Sequence, residues 1–278
     1  MIASDHLPTH LPLSLVLITQ NAEAELTACL ASASPWVAEI VIVDSGSTDK
    51  TRDIAAQFGA RFIEQPWLGF GAQKNAAVAA ARHDWVLCLD ADERISDALA
   101  QSIAAVFVQP EGERAAAYAL CRRNRFFNRW LSHGEGYPDW TVRLFDRRRA
   151  RWSDDAVHEK VLVDGKTERL SGDLLHASAE LLDAYLAKQN RYTTTQAERL
   201  FAAGARATGW QMFASPLARF VRFYFLKRGF LDGSAGFAHI AIGAFAGFLK
   251  HAKLYALQKN AENEKALTEK TPHDSSAS

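Results

Sequence analysis

The first half of the chain alternates short apolar runs with segments of helical spacing. Leu13–Ile18, Glu39–Val43 and Trp85–Leu89 are rich in residues that favour β-strands, and each has the length of a buried strand. Asn21–Ser32 and Thr51–Phe58 instead place apolar residues three or four positions apart, which is typical of an amphipathic helix. Strands that alternate with helices in this way predict βαβ units and a mostly parallel sheet with flanking helices.

Two weaker elements complete this pattern. Ala60–Ile63 is predicted to be a further strand, and Lys74–Arg82 an alanine-rich helix. The helix that begins at Thr51 is expected to take Ser47 or Thr48 as its N-cap. The fold class expected from the pattern is therefore α/β.

The second half is predicted to continue the sheet and then to become helical. Tyr118–Arg122 and Thr141–Phe145 are predicted strands, and Glu159–Val163 is expected to form a hairpin with its turn at Asp164–Gly165. Leu181–Leu200 is spaced as a long amphipathic helix. The predicted organisation is a first domain over residues 1–178, a helical region over 179–258, and a disordered tail over 259–278.

Composition indicates the cellular compartment of the protein but not its binding partners. The 278 residues contain 32 basic and 32 acidic side chains, so the net charge indicates no class of ligand. Cys29, Cys88 and Cys121 are widely spaced and form no CxxC pair, which favours a reducing compartment over a disulfide framework. The N-terminus has no signal-peptide pattern, and no uncharged apolar run reaches 18 residues, so we expect a cytoplasmic protein.

Polar clusters follow the first two predicted strands. Thr19 and Asn21 come after the first strand, and a loop of small polar residues from Asp44 to Asp49 comes after the second. Ligands of open α/β sheets bind outside the carboxyl ends of the strands. A carboxylate there can accept a hydrogen bond from a base or a ribose, although a plain helix N-cap explains the same residues.

Two more clusters lie near the third helix and the last strand of the first half. Gly69 and Gly71 precede Lys74. Backbone N–H groups at the glycines and the charge of Lys74 could bind a phosphate, although a lone GxG is a weak signal. Asp90 and Asp92 follow the buried strand directly and could converge on a divalent cation that bridges diphosphate oxygens. A solvated acidic turn is the alternative.

The four clusters together resemble the family-2 (GT-A) inverting glycosyltransferases in order and spacing. The second half resembles one subgroup, the lipopolysaccharide core glucosyltransferases of the WaaE/KdtX type. The stretches that carry the first resemblance are Leu17–Asn21, Val41–Asp49, Gly69–Asn75 and Leu87–Glu93. Those that carry the second are Tyr137–Phe145, Val157–Glu159, Leu175–His176 and Arg228–Gly233.

The resemblance implies a GT-A, Rossmann-like catalytic domain with a C-terminal helical appendage. Its nucleotide-sugar half would cover about residues 12–110 and its acceptor half 111–178. Asp44 would contact the uracil of a UDP-sugar and Lys74 would lie near the base or diphosphate, while Asp90 and Asp92 would bind Mg²⁺ or Mn²⁺. His176 is a candidate for a further metal ligand. The remaining residues expected to line the nucleotide pocket are Thr19, Asn21 and Ser45.

The catalytic base implied by the resemblance has no motif of its own in this chain. An inverting transfer needs a carboxylate that deprotonates the acceptor hydroxyl, and the Glu-Asp pair of many family members is missing. Glu159 and Asp155 are the preferred candidates, with Asp139 as a third choice. His158 could act as the base or could orient its neighbour.

Basic and aromatic residues of the second half point towards an anionic, membrane-associated acceptor. Arginines suit the phosphate and carboxylate groups of a lipopolysaccharide core, and the nearby aromatic residues do not match an RNA-binding motif, so no nucleic acid is expected. Arg219–Tyr255 mixes aromatic residues with cations, as interfacial helices do, whereas Phe237–Leu249 is too short to span a bilayer. A buried helix or an oligomer contact is the alternative. The basic region comprises Arg122, Arg123, Arg125, Arg129, Arg143, Arg147, Arg148, Arg149 and Arg151.

The expected activity is transfer of a hexose, glucose from UDP-glucose, to an inner-core heptose of lipopolysaccharide. The expected place is the cytoplasmic face of the inner membrane, reached by peripheral contact. A family-2 transferase acting on a polyprenyl-phosphate or capsule intermediate is the alternative among enzymes. A membrane-docked protein that binds nucleotide-sugar without turnover is the alternative from another class.

Overall fold

The computed structural model describes residues 10–153, 155, 159–177 and 182–269. The chain divides into two compact units. The sheet unit comprises residues 10–125 and 137–177, and the helical unit comprises residues 126–136 and 182–269. The segment 126–136 thus belongs to the helical unit, although the sequence pattern assigned it to the first domain.

The first half of the sheet unit has the alternating elements that the apolar pattern predicts. Every strand and helix predicted there is present, with its ends shifted by a few residues. The elements are β1 (Leu11–Thr19), α1 (Glu23–Ala33), β2 (Val37–Asp44), α2 (Thr51–Gln57), β3 (Arg61–Glu64), α3 (Phe70–Ala80), β4 (Trp85–Leu89), β5 (Glu93–Ile95) and α4 (Asp97–Val108).

The second half of the sheet unit contributes the remaining strands. A short 3-10 turn, Glu111–Glu113, precedes them. The strands are β6 (Ala117–Phe126), β8 (Asp139–Asp146), β9 (Ala150–Trp152), β10 (Val161–Val163) and β11 (Thr167–His176), while β7 (Arg129–Trp130) lies in the helical unit.

The central sheet has the strand order β3-β2-β1-β4-β8-β6-β11-β5. β1 pairs in parallel with both β2 and β4, and β2 pairs in parallel with β3. Beyond β4 the sheet is mixed, because β8 runs antiparallel to β4 and β6 while β11 runs parallel to β6. The predicted α/β class is confirmed, and the parallel part is the half that carries the polar clusters.

Both faces of the sheet are buried, as strands with near-continuous apolar runs require. Leu13, Leu15 and Leu17 of β1 pack on one face with residues of α1 and α4, and Val16 packs on the other face with residues of α3. Alternate side chains of a strand point to opposite faces. The three cysteines are free and buried, in agreement with the expected absence of a disulfide framework.

Two local predictions are wrong. β10 pairs with the preceding strand β9, so the hairpin is closed by the segment before Val161 and not by a turn at Asp164–Gly165. The N-cap position of α2 is Lys50 and makes no side-chain cap hydrogen bond. Thr51 N instead donates to Asp49 Oδ1 at 3.0 Å, and Ser47 Oγ donates to Asp44 Oδ2 at 2.6 Å.

The helical unit is built on one long helix. Its helices are α5 (Leu182–Ala202), α6 (Gly209–Val221) and α7 (Gly233–Glu269), with a π-helical turn at Arg222–Leu226 and a 3-10 turn at Gly229–Asp232. α5 and α6 both pack along α7. Residues 259–269, expected to belong to a disordered tail, continue α7.

One helical stretch among the described residues has the length and composition of a membrane span. It covers Gly229–Lys265, with a mean hydropathy of 1.2 in its most apolar window and 17% of that window buried. Core helices of soluble proteins meet the same criteria, so length and composition alone do not assign it to a membrane.

Candidate active site

The polar residues after β1, β2 and β4 meet at one edge of the sheet because these strands are parallel neighbours. Thr19 is paired in register with Asp44, and Leu17 with Leu89, the residue before Asp90. Thr19 Oγ1 donates a hydrogen bond of 2.7 Å to Asp44 Oδ2. The structure therefore brings together the residues that the sequence places at strand ends.

Asp44 is a buried carboxylate that organises the loop after β2. It accepts hydrogen bonds from Gly46 N at 2.9 Å, from Ser47 N at 2.7 Å and from Ser47 Oγ at 2.6 Å, besides the one from Thr19. Burial raises the pKa of Asp44, but the hydrogen bonds from Ser47 and Thr19 outweigh it and hold the pKa below its ordinary value. Gly46 adopts φ +92°, which suits a tight turn around the carboxylate.

Asn21 joins the loops that follow β1 and β2. Its backbone N donates to Ser47 Oγ at 2.8 Å, and its Oδ1 accepts from Thr48 N at 2.8 Å. Ser45 Oγ accepts from the buried Gln73 on α3 at 3.1 Å. Asn21 and Ser45 thus join the loops at the edge of the site by hydrogen bonds, and Asn21 is exposed to solvent.

Asp90 lies between two cations. Its Oδ1 is 3.2 Å from Lys74 Nζ, and its Oδ2 is bound by Arg143. Burial raises the pKa of Asp90, but the charges of Arg143 and Lys74 more than offset it, and the pKa lies well below its ordinary value. Both oxygens of Asp90 are therefore engaged in ion pairs.

Glu93 lies beneath this pair and is fully buried. Arg143 Nη2 donates to its Oε1 at 2.7 Å, and Glu93 Oε2 accepts from Asp90 N at 3.1 Å. Burial raises the pKa of Glu93, and the charge of Arg143 offsets this only in part. Arg143 is 4% exposed and pairs with Asp90 and Glu93, so within the predicted basic region it is a buried counter-ion and not a surface cation.

Asp92 faces His176 instead of this network. His176 Nε2 lies 3.1 Å from Asp92 Oδ2, and His176 Nδ1 donates to Asn124 Oδ1 at 2.8 Å. Burial raises the pKa of Asp92, but the hydrogen bond and charge of His176 bring it below its ordinary value. Two of the three predicted metal ligands, Asp92 and His176, therefore lie within contact distance, and Asn124 fixes the ring.

The donor set at Asp92 and His176 suits a partly hydrated divalent cation. No group of three or more His, Cys, Asp or Glu side chains within the described residues could hold a metal ion by itself. Mg²⁺ is commonly bound by one or two carboxylates together with substrate phosphates and water. An ionised carboxylate next to an imidazole whose Nδ1–H has an amide partner meets that requirement.

Lys74 is buried beside Glu159, one of the predicted bases. Lys74 Nζ lies 2.9 Å from Glu159 Oε1 and 4.4 Å from the centre of the Trp152 ring. Asn75, the next residue on α3, donates to Trp152 O at 3.0 Å and accepts from Trp152 N at 2.9 Å. These two bonds fasten β9 to α3 and keep the ring over the ammonium group.

The other candidates for the catalytic base are either described only in part or paired with other residues. Asp155 is described and exposed, while His158 lies outside the described residues. Asp139 is ion-paired with Arg122 at 2.7 Å. Glu159 is linked to Asp90 of the acidic network through Lys74, and Asp139 is linked to Glu93 through Arg122, whose Nη1 lies 4.0 Å from Glu93 Oε1.

Several arginines of the predicted basic region also have acidic partners. Arg148 bonds Asp146 and Glu111, and Arg123 pairs with Asp173 at 3.4 Å. A shallow cavity of about 400 Å³ is lined by the backbone turn Arg147–Arg151 together with Leu162 and Asp164. It is formed by other elements than those that carry the strand-end cluster.

The roles of four residues that hold the site together were not predicted from the sequence. Arg143 was included in the predicted basic region, although a cation between Val142 and Leu144 in a buried strand signals a buried partner. Asn75 was part of the same predicted motif as Lys74 but was given no role. Asn124 and Trp152 carry no local signal, because their roles depend on the pairing of distant strands.

Comparison with known proteins identifies the family. The model of glycosyl transferase family 2 matches residues 14–161. The chain is 32% identical over 258 residues, 88% of this chain and 92% of the relative, to the lipopolysaccharide core biosynthesis glycosyltransferase LpsC of Rhizobium meliloti. It is also 30% identical over 260 residues, 90% of this chain and 89% of the relative, to an uncharacterized glycosyltransferase of Rickettsia typhi.

A solved structure is similar over a shorter part. It is glucosyl-3-phosphoglycerate synthase of Mycobacterium tuberculosis in complex with Mn²⁺, UDP and glucosyl-3-phosphoglycerate, 27% identical over 40% of this chain and 44% of that chain, with a TM-score of 0.33. The family model and the full-length relatives confirm the resemblance seen in the sequence. The chain therefore belongs to glycosyl transferase family 2 and is a glycosyltransferase with a mixed α/β fold.

Proposed function

We propose that this protein is a metal-dependent inverting glycosyltransferase that moves a hexose, glucose from UDP-glucose, to an inner-core heptose of lipopolysaccharide. The observation that carries the proposal is the pair formed by Asp92 and His176 beside the ion-paired Asp90, all at the strand-end edge. This arrangement leaves one ionised carboxylate and one imidazole for a cation, while Asp90 is held by Lys74 and Arg143.

Different residues at this edge would bind different parts of a nucleotide-sugar. Asp92 and His176 would hold Mg²⁺ or Mn²⁺, which, when bound, offsets the charge of the departing diphosphate. Thr19, Asn21, Asp44 and Ser45 would shape the nucleotide pocket. Because the Asp44 carboxylate already accepts four hydrogen bonds, its main part is to fix the loop against which the base would rest.

Lys74 and Arg143 would position Asp90. The two cations hold the Asp90 carboxylate ionised and in one orientation, so that it can accept a hydrogen bond from the ribose or the sugar without rearranging. Lys74 would also come near the diphosphate, as predicted. A neutral residue in place of either cation would leave Asp90 with one ion pair instead of two.

The chemical step would be one in-line displacement. The acceptor oxygen bonds to the anomeric carbon as the bond to the UDP oxygen breaks, and the acceptor proton passes to a carboxylate. Glu159 and Asp155 remain the proposed bases. Glu159 is paired with Lys74, so it would act only if this ion pair loosens when donor binds.

The proposed acceptor rests on the name of the relative LpsC, a lipopolysaccharide core biosynthesis enzyme. Such an acceptor is anchored in a membrane, and the donor is a cytoplasmic metabolite. The proposed place of action is therefore the cytoplasmic face of the inner membrane, with the protein held there by peripheral contact.

The test is release of UDP by purified protein from a panel of sugar nucleotides, with and without lipopolysaccharide core acceptor, Mn²⁺ and EDTA. We expect acceptor-dependent UDP release from UDP-glucose that EDTA abolishes and Mn²⁺ restores. Release with a polyprenyl phosphate alone would move the protein to another acceptor class. Donor binding without turnover on any acceptor would favour the non-catalytic alternative.

A further inference from the structure

We propose that the outer face of α6 docks the protein on a bilayer that contains anionic lipid. The docking face consists of Trp210, Phe213, Leu217 and Val221. This inference deepens the proposed function by naming the surface that brings the enzyme to a lipid-linked acceptor. It concerns the helical unit alone and can be tested without turnover.

The docking face is an apolar stripe exposed to solvent. Its residues recur at intervals of three and four positions, so they lie on one side of the helix. Trp210 is 76% exposed, Phe213 67%, Leu217 64% and Val221 41%. Four large apolar side chains in one exposed row exceed the scattered single residues that ordinary surfaces carry.

A neighbouring apolar side of α6 is already covered within the helical unit. Phe220 packs on the ring of Tyr224 with centroids 5.1 Å apart and on the ring of Phe237 of α7 at 5.9 Å. α6 is therefore apolar on two sides, and the contacts with α7 satisfy one of them. The exposed stripe is not part of the core of this unit.

The apolar surface continues into the turns that follow α6. Phe225 and Leu226 in the π-helical turn and Phe230 in the 3-10 turn are exposed. The ring of Tyr224 contacts the rings of Phe225 at 5.1 Å and Phe230 at 6.2 Å, which links the turns to α6.

The charge around the docking face suits an anionic surface. Between Glu198 and Asp232 the sequence has no acidic residue. Clusters of cations next to exposed apolar residues attract anionic lipid headgroups, whereas a second copy of the same surface would bring like charges together. The cations in this interval are Arg199, Arg206, Arg219, Arg222, Lys227 and Arg228, of which Arg219 is paired with Glu135 from outside the interval.

The contacts of α7 favour a helical unit that lies on the bilayer over one that spans it. Lys253 Nζ of α7 donates to Asn190 O at 2.8 Å and to Thr193 Oγ1 at 2.8 Å, both on α5. α5 itself is rich in polar and charged residues along its length. A spanning α7 would carry these groups into the hydrocarbon, which is unfavourable.

The test is flotation of the full chain with vesicles of phosphatidylcholine, alone or mixed with phosphatidylglycerol. We expect the protein to float with the mixed vesicles. The double substitution Phe213→Ser and Leu217→Ser should lower the affinity about tenfold or more, because two apolar side chains leave the interface. Arg222→Gln with Lys227→Gln should remove most of the preference for phosphatidylglycerol.

Val108→Ser is the matched control, since Val108 is an apolar residue of the sheet unit that is 82% exposed. It should float like the wild type. Circular dichroism and Mn²⁺-dependent UDP binding, measured on every variant, keep loss of docking apart from loss of folding or of the proposed activity. The proposal would be overturned if the wild type floats with neither kind of vesicle, or if the double variant floats as well as the wild type. It would also be overturned if the wild type is a dimer that dissociates on the same double substitution, because a second copy would then cover this face.

Discussion

Replacing Arg143 by Met removes the cation that joins Asp90 and Glu93. Methionine keeps much of the volume and apolar character of the arginine stem but makes no ion pair. Glu93 is fully buried, and Arg143 Nη2 donates to its Oε1 at 2.7 Å, whereas the next cation, Arg122, lies 4.0 Å from that oxygen. Leaving a buried charge without its partner costs about 3–5 kcal/mol, which is a large part of the 5–15 kcal/mol that typically separates folded from unfolded protein.

The loss should depend on pH in a defined direction. In wild type, burial already raises the pKa of Glu93, and Arg143 opposes that rise. Without Arg143 the folded-state pKa of Glu93 rises further above its unfolded value, so the folded state binds more protons than the unfolded state in that range. Stability then falls as pH rises, and the destabilisation should be greater at pH near 8 than near 5.

Urea unfolding followed by circular dichroism at both pH values measures this effect. Arg82→Met is the control, because Arg82 is exposed and its ion pair with Glu39 at 3.6 Å should contribute about 0–1 kcal/mol. Adding Glu93→Gln to Arg143→Met should restore part of the loss, since the unpaired charge disappears. A loss below about 1 kcal/mol, or one equal at both pH values, would refute the assignment of Arg143 as the buried counter-ion.

Two further predictions concern residues that position the site. Asn124→Leu should raise the Mn²⁺ concentration needed for half-maximal UDP binding about tenfold or more, because His176 loses the partner of Nδ1, while Asn124→Asp should restore it; equal Mn²⁺ requirements in calorimetry would contradict this role. Gly172→Ala should lower the unfolding free energy by at least about 2 kcal/mol, since Gly172 has φ +94° and a Cβ would lie 2.3 Å from Leu99 N. Ala substituted at Gly112, where nothing lies within 4 Å, is the control, and equal urea midpoints for the two variants would refute the steric argument.

The part of the fold that could be predicted is the part fixed by local pattern. The apolar runs of β1, β2 and β4 are short, uninterrupted and followed by polar residues, so both the strands and the edge with Thr19, Asp44 and Asp90 follow from them. Parallel pairing of these strands then brings the polar residues together without further information.

The part that could not be predicted depends on pairing between distant segments. Asn124 reaches His176 because β6 and β11 are parallel and in register there, after an irregularity between Arg169 and Asp173. The different partners of the two carboxylates in the DxD motif also could not be predicted from the sequence. Asp90 turns to Lys74 and Arg143 while Asp92 turns to His176, and nothing within residues 90–93 indicates which carboxylate faces which partner.

The extent of the helical unit also could not be predicted from the sequence. Residues 126–136 belong to it although they lie between two strands of the sheet unit. Backbone N groups of Ser132 and His133 donate to the buried Asp232 at 2.9 and 2.8 Å. A contact between residues about a hundred positions apart leaves no periodic signal in either segment.

Asp92 and His176 are proposed to bind the cation that holds the diphosphate of a nucleotide-sugar. Calorimetric titration of UDP into wild type, Asp92→Asn and the exposed control Asp53→Asn, each with Mn²⁺, tests this claim most directly. Wild type and Asp53→Asn should bind UDP only when Mn²⁺ is present, and Asp92→Asn should lose at least about tenfold in affinity. Absence of UDP binding to wild type in Mn²⁺, or equal affinity for Asp92→Asn, would contradict the claim.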